Sequence, residues 1–561
     1  MGPLTTGQAP ALSSGTEIYF DRFLKVWQGS TAVARARAPI VFFAGLALIC
    51  GTTALIGAVP TKMYGHDVFV SLDAGWRTIN GQRPHADFVS GWGPVWFLAE
   101  GLGLAISRRS VNGVGYANAI MALLVGSWSF LLGKDRLVSS TRILLGLFLA
   151  ALVAAPYPLG NAFFITSHAM VYNRYGYALL GLILQECLAA TFATAANRDE
   201  GWMGGISTGA ALSLTLFLKA SYFFVGIVLI AIISFVLKRL QFRRLVAIAL
   251  GFLLLSTCML AYVRFDALAM LRDLRMAGGA RAGVLTPALV LSNALSHASV
   301  WLGVVFLVFA AALLSGKRVP RLHALKLLIL GTFIFLADIG LLSTNAQFDG
   351  FPLCAVFAIM VLNEVTQDQQ ALTASEAYSG RPLYAGVLLL GALLFVPQFT
   401  SDLAGLAYGA WKKERPPNPE AVLHFTSPNL APLLLYDGFA PRSNGRVFTS
   451  YVNDGVALLT RETRPDETIV TMDMTNPFSY ALERRLPHRG ILSPTYHLNL
   501  DDAHRPSDDE FFGDANIVMV PKHPALDDVY YSDFLKAYEA GLLQRYYLAD
   551  STNWWWMYRR K

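Results

Sequence analysis

Charge is what this chain has least of: 15% of its 561 residues are Asp, Glu, Lys or Arg, against 54% hydrophobic ones. Mean hydropathy is +0.45. That is too apolar for a soluble globular protein of this size and leaves a polytopic membrane protein. Cysteine is scarce too. All four (Cys50, Cys187, Cys258, Cys354) fall inside apolar runs, so neither a disulfide framework nor a Cys-based zinc site is readable. A basic stripe interleaved with aromatics is missing. The net charge of +7 comes from basic residues gathered in short loops beside apolar runs, as topology signals are, which argues against nucleic-acid binding. No P-loop, Rossmann fingerprint, HExxH or GxSxG motif is found, which disfavours nucleotide-driven transport and hydrolase chemistry. No repeat of 20–50 residues and no low-complexity tract is visible.

What is present is a series of apolar runs. They lie near 39–60, 112–133, 142–156, 173–196, 203–218, 220–237, 245–263, 298–315, 324–343, 350–364 and 382–399, which makes about eleven transmembrane helices. Several are shorter than the ~20 residues that cross the hydrocarbon, so their ends must extend or the bilayer must thin. The polar segment 1–38 precedes the first run, which starts too late and runs too long for a signal-peptide core and is expected to be retained. Loop charge sets the orientation. Arg22, Lys25, Arg35 and Arg37, then Lys134, Arg136 and Arg142, then Lys238, Arg239, Arg243 and Arg244, then Lys317, Arg318, Arg321 and Lys326 all belong on one side, the cytoplasm. That holds only if Pro94–Ser107 does not cross; at 14 residues it reads as an interfacial helix on the outer surface. The outer loop 264–297, with Arg264, Arg272, Arg275 and Arg281, runs against the rule. Either late loops tolerate exceptions, or some of these arginines receive an anionic lipid headgroup.

After about residue 400 the composition turns soluble. A Lys/Pro-rich linker, Trp411–Pro419, leads to strand-like runs at Thr468–Met472 and Asn516–Pro521 and a helical pattern near Asp533–Leu543, a small α/β domain. An odd number of spans from a cytoplasmic N-terminus places 400–561 outside, in a periplasm, on the same face as the first outer loop, 61–111. The pairs Asp501-Asp502, Asp508-Asp509 and Asp527-Asp528 read as solvated loop residues, so no metal is expected. Trp554-Trp555-Trp556 reads best as packing of the last strand on its own domain.

The chemistry points to 61–111. Asp67 stands some seven residues beyond the first span, at the depth where a carboxylate meets both an interfacial lipid phosphate and an acceptor from the water side, and there it can deprotonate an attacking hydroxyl. Asp73 competes but falls inside a helical pattern. Lys219, between two apolar runs, needs a partner or a route to the interface; it either snorkels or binds a phosphate. The loop 161–174 carries Thr166, His168, Asn173 and Arg174 on the same face. His168 is either structural or orients a substrate, and Arg174 and Arg264 are further phosphate candidates.

The order Asp67-x(8)-Trp76-Arg77-x(2)-Asn80-Gly81-Gln82-x-Pro84-x(2)-Asp87-Phe88-x(4)-Gly93-Pro94 resembles the first outer loop of the GT-C class of polyprenyl-phosphate-sugar-dependent glycosyltransferases, among them protein O-mannosyltransferases and lipid A aminoarabinose transferases. Leu214–Ser221 is similar to a lysine-containing segment of those families. The chain departs from the pattern at Val68, where Glu is usual, and at His85, where Tyr is usual. The resemblance covers roughly the first 240 residues. It implies a GT-C-type membrane module at 39–399 and an inverting transfer of a sugar from a polyprenyl phosphate to an envelope glycan, lipid or protein, at the outer face of a bacterial inner membrane. Asp67 would be the catalytic base. Asp87 and Trp92 would shape the loop, and Lys219 with Arg174 or Arg264 would hold the phosphate. The donor carries its own activated bond, so no cofactor is implied. Two other readings stay open, a lipid-linked glycan flippase or other secondary transporter and a non-catalytic envelope assembly protein.

Overall fold

The computed structural model describes residues 32–192, 201–238, 240–282, 285–315, 321–345, 347–370, 374–415, 422–436, 445–524 and 528–561. The basic residues Arg22, Lys25, Arg239, Lys317 and Arg318, and the linker beyond residue 415, fall outside them. Each apolar run of the sequence holds a helix. In chain order these are α1 (Ala32–Ile56), α2 (Gly65–Ile79), α3 (Pro94–Ile106), α4 (Gly113–Leu132), α5 (Ser139–Ala154), α6 (Val171–Phe192), α7 (Gly201–Leu216), α8 (Ala220–Val236) and α9 (Phe242–Tyr262). There follow α10 (Ala267–Ala282), α11 (Pro287–Ser296), α12 (Ala298–Ser315), α13 (Arg321–Asn345), α14 (Pro352–Gln370) and α15 (Ala374–Glu414). Among the described residues five helices are long and apolar enough to cross a membrane by themselves, and a sixth span arises if α11 and α12, bent by 58°, are taken together. Exposed Leu55, Leu131, Phe235, Leu254, Phe309 and Leu389 give the bundle an apolar outer surface, which suits lipid and not water.

Inside such a bundle the hydrophobic effect no longer favours one partner over lipid, and close packing takes over. Gly205 and Gly209 on α7 show this. A Cβ on Gly209 would collide with the Ile248 carbonyl of α9, and one on Gly205 with Ala247.

The loops divide between two ends. At one end, Lys62 N donates to Thr166 O (2.8 Å), Val95 N to Phe217 O (3.0 Å) and Val89 N to Gly490 O (2.9 Å), so the segment 57–111, the 155–170 loop, the α7–α8 break and the C-terminal domain meet there. The basic segments Lys134–Arg142 and Arg244 lie at the other, where Arg136 and Arg244 flank Glu186 at 3.5 and 2.5 Å.

The region 94–107 forms a helix of 13 residues, about 20 Å long and too short to span the ~30 Å hydrocarbon core. As the sequence suggested, it does not span, and one of its faces packs on the protein. Trp96, Phe97, Glu100 and Leu104 are buried between α2 and α4, and Gly75 and Gly113 permit the close approach.

The C-terminal domain has helix α16 (Gly445–Glu462) and a four-stranded sheet ordered β1-β2-β4-β3: β1 (Ile469–Thr471), β2 (Ile517–Pro521), β3 (Tyr546–Ser551) and β4 (Trp555–Arg560). The short helices α17 (Phe478–Ala481) and α18 (Asp508–Phe512) and the longer α19 (Asp528–Arg545) complete it. β1 and β2 are parallel, the others antiparallel. Trp555 is buried against Tyr451 and Phe478, and its indole donates to the Tyr451 carbonyl (2.9 Å). One apolar core joins this domain to α2: Val68, Phe69, Leu72 and Trp76 pack with Phe425, Leu435, Phe448 and Tyr480, and Trp76 Nε1 donates to Arg484 O (2.8 Å).

Gly209→Val is expected to cost about 1–3 kcal/mol through overpacking against the α9 backbone. The check is a lowered thermal midpoint of the purified protein in detergent, beside a Gly278→Val control, where a Cβ meets nothing within 4 Å.

Candidate functional site

Asp67 lies in the first turn of α2, the same helix that holds Asp73 six residues on. The N-terminal end of a helix favours an anion, yet this one is mostly covered, with 14% of its side chain exposed. Burial pushes the Asp67 carboxyl above the usual carboxylate range, and His66, with Nε2 3.4 Å from Asp67 Oδ1, pulls it partly back. Tyr64 at the N-cap has φ 55°, a left-handed conformation that turns the chain sharply into the helix.

Tyr172, in the first turn of α6, lies close enough to both Asp67 and Arg281 for their charges to act on its phenol. Trp92 packs tilted against that ring with centroids 5.4 Å apart, and edge-to-face against Trp96 at 5.5 Å. Lys219, in the break between α7 and α8, has Nζ 5.3 Å from the Tyr172 ring centre. It donates to Asn345 Oδ1 (2.6 Å) and Asn173 Oδ1 (3.3 Å), while Asn345 Nδ2 donates to Tyr222 (2.8 Å). Burial, with the like charge of Arg281 second, pushes the Lys219 ammonium down to about 7. Among the described residues no carboxylate pairs with Lys219 or with Arg281. The result is one carboxylate, two cations without counter-charge and an aromatic wall around Tyr172. A pair of repelling cations suits an anion with several oxygens.

Other residues singled out in the sequence take structural positions. Asp87 accepts from Arg83 N (2.8 Å) through one carboxyl oxygen and from Arg264 Nη1 (3.1 Å) through the other, and its carbonyl accepts from Arg489 N (2.7 Å). It thereby ties the loop to the end of α9 and to the C-terminal domain. Arg264, expected as a phosphate ligand, is engaged in that clasp. Asp73 is buried and paired with Arg77 (3.2 Å), whose guanidinium donates on to Gln82 (3.0 Å) and covers Phe88. His85, where the GT-C pattern has Tyr, adopts φ 68° and meets Asp273 of α10 at 2.9 Å. His168 accepts from Val59 N (2.9 Å) at Nε2 and is buried; burial, with Lys413 second, pushes it down to about 4, so it is a neutral support for the end of α1.

Arg174 departs most from expectation. Its guanidinium bonds Asp402 (2.9 Å) and the carbonyls of Leu152 and Tyr157, all inside the bundle. A phosphate would have to displace that carboxylate, so Arg174 is set aside as a ligand. Sequence reasoning missed Tyr172 and named Arg281 only among the outer arginines that could receive an anionic lipid headgroup. Arg281 was one of four arginines in 264–297 with nothing local to single it out. Among the described residues no group of three or more His, Cys, Asp or Glu is placed to hold a metal ion.

No family model matches the sequence. A stretch of 170 residues is 30% identical to the ClcB-like chloride channel protein of Ralstonia nicotianae, covering 29% of this chain and 36% of that one. The chain therefore spans about a third of the length of the curated relative it matches. Similar solved structures include ArnT from Cupriavidus metallidurans bound to undecaprenyl phosphate, with 12% identity over 94% of this chain and 98% of that chain and a TM-score of 0.46. The oligosaccharyltransferase of Archaeoglobus fulgidus tethered to an acceptor peptide is 14% identical, over 93% of this chain and 74% of that one, with a TM-score of 0.40.

Removing one partner of the Arg174–Asp402 pair leaves a buried charge unmatched. Arg174→Met and Asp402→Leu are each expected to destabilise the protein by about 3–5 kcal/mol, and the double variant by clearly less. Thermal unfolding of the three proteins in detergent decides it; additive losses would show that the two residues are not coupled.

Proposed function

We propose that this protein is an inverting glycosyltransferase of the GT-C type, which moves a sugar from a polyprenyl phosphate to an envelope acceptor at the outer face of a bacterial inner membrane. One observation carries the reading: Asp67 and Arg281 both lie close enough to the Tyr172 phenol for their charges to act on it, Lys219 sits over the same ring, and among the described residues no carboxylate pairs with either cation. In this reaction the acceptor hydroxyl loses its proton to Asp67 as its oxygen attacks the anomeric carbon. The bond from that carbon to the phosphate oxygen breaks on the opposite face, and the electron pair leaves with the polyprenyl phosphate. A carboxyl raised by burial is a stronger base than a solvated one, which suits proton abstraction. Lys219 and Arg281 would take up the charge that grows on the departing phosphate. Trp92 and Tyr172 would flank the sugar, and the C-terminal domain would help to select the acceptor. The donor supplies the activated bond, so the scheme calls on no metal or other cofactor. Loop charge supports the outer placement, since the basic Arg136 and Arg244 lie at the end away from Asp67.

A secondary transporter would need charged groups free to change partners within the bundle. Glu186 is engaged by Arg136, Arg244 and Thr208, and Asp338 accepts the backbone N–H groups of Leu353 and Cys354 at the start of α14, so each has a fixed structural task.

Asp67→Asn is expected to lower transfer about 10²–10⁴-fold, the range for loss of a general base, with unfolding unchanged. Mass spectrometry of envelope glycans and lipids from cells carrying the variant at normal abundance reads this, and an unaltered profile would remove Asp67 from the chemistry.

Lys219 sets a pH dependence. With no ligand it loses its proton near pH 7; a bound phosphate favours the charged form, so binding takes up a proton and weakens as pH rises. Farnesyl phosphate, dianionic throughout this window, should bind roughly tenfold more weakly per pH unit between about 7.5 and 9. Lys219→Met should bind weakly and without that slope. An unchanged slope in the variant would assign the titration to another group.

A further inference from the structure

Two lysines at the Asp67 end of the bundle stand apart from the cluster around Tyr172. Lys62, between α1 and α2, holds its ammonium 5.2 Å from the centre of the Phe164 ring. Lys412, in the last turn of α15, holds its own 4.8 Å from the Trp411 ring, 5.6 Å from Tyr408 and 5.8 Å from Tyr436. Among the described residues no carboxylate pairs with either lysine. We infer that this face binds the headgroups of anionic phospholipids in the leaflet on the Asp67 side, with their acyl chains against α15. The assignment is independent of the transferase reading, since it asks only that the bundle sit in a bilayer.

The helix sets the depth of this face. Leu389, Leu393, Val396, Leu403, Ala407 and Trp411 recur at intervals of three, four and seven, which puts them on one side of α15, and all are exposed. Thr400 falls on the same side and returns its hydroxyl to Val396 O (2.7 Å), so its polarity is satisfied within the helix. The charged Asp402 points the other way, to Arg174 inside the bundle. From Leu389 to Trp411 the stripe is about 33 Å long, enough to line the ~30 Å hydrocarbon core. Acyl chains can lie along it. Trp411 and Lys412 then stand at headgroup level, where an aromatic ring and a snorkelling ammonium are both at home.

From α15 the wall continues sideways to Lys62. Tyr408 meets Phe163 with centroids 6.1 Å apart and Phe163 meets Phe164 at 5.6 Å, so one aromatic run joins the surroundings of the two lysines. A second link passes through Tyr436, whose phenol meets Thr166 Oγ1 (3.2 Å) and whose N–H donates to Thr61 O (3.1 Å). The run is open, with Phe164 42% and Trp411 48% exposed. Rings hold each ammonium in place by cation–π attraction, yet they carry no net charge and leave its positive field uncancelled. Lipid phosphates supply the missing charge, and the apolar stripe below favours an anion that brings acyl chains over one free in water. Lys62 precedes Asp67 by five residues, so a lipid surface at Lys62 sets the entry to α2 at headgroup depth.

The test uses the full-length chain in nanodiscs that contain phosphatidylglycerol or phosphatidylcholine carrying a diazirine close to the glycerol. After irradiation, labelled peptides are mapped by mass spectrometry. Phosphatidylglycerol is expected to label the peptides around Lys62 and Lys412 about fivefold or more above phosphatidylcholine. Lys62→Gln and Lys412→Gln should each lower that excess by up to about fivefold, and the double variant should abolish it. Lys62→Arg and Lys412→Arg, which keep the charge, should restore it, and labelling around Lys134 at the other end of the bundle should stay within twofold throughout. Equal labelling by the two lipids at Lys62 and Lys412, or an excess that survives the double glutamine variant, would overturn the assignment. Loss of the excess in millimolar inorganic phosphate would give the face to a soluble anion and overturn it as well.

Discussion

A charge taken away from water must be matched or neutralised, and most of this structure follows from that constraint. Arg174 is matched by Asp402, Glu186 by Arg244 and Arg136, and His85 meets Asp273. Among the described residues no cation pairs with Asp338, which accepts two backbone N–H groups at the start of α14. These pairings join helices far apart in the chain and fix how the bundle closes. The cost of breaking one is the cost of leaving its partner uncompensated, which is why such residues hold position and do not exchange partners.

Against that background the surroundings of Tyr172 stand out because the rule is left incomplete there. Lys219 rests on two neutral amides, among the described residues no carboxylate pairs with Arg281, and the one ion-pair partner of Asp67 there is His66. Positive charge of this kind is stable where an anion completes it. The proposed donor phosphate would do so, and the raised carboxyl of Asp67 would take the acceptor's proton.

The C-terminal domain is part of the same construction. Its core is continuous with α2 through Trp76, Phe69 and Leu72, and its backbone pairs with the first loop at Val89 and Thr61. The loop therefore has two supports: Asp87 and His85 fasten it to the region of Arg264 and Asp273, and the domain covers its other side. A helix of only 13 residues, α3, can sit in this assembly because packing buries it, although its length does not let it span.

Much of the architecture was legible along the chain. Long apolar runs report helices because every backbone polar group in lipid must be satisfied within its own segment. Loop charge and the short run 94–107 placed the first loop and the C-terminal domain at one end, where the structure also has them. The runs at 468–472 and 516–521 read as strands because both faces are apolar. The hairpin Tyr546–Arg560 was less legible, since its β3 alternates weakly and lies against solvent. The sequence by itself determined which residues carry costly charge, among them Asp67, Lys219 and Arg174. Tertiary structure alone decided which of those charges are neutralised. Arg174 finds Asp402 228 positions away and becomes part of the frame, while Arg281, unremarkable in its own segment, approaches Lys219, and among the described residues neither meets an acid. Pairing in a folded chain depends on distance in space, and nothing local in either segment encodes it.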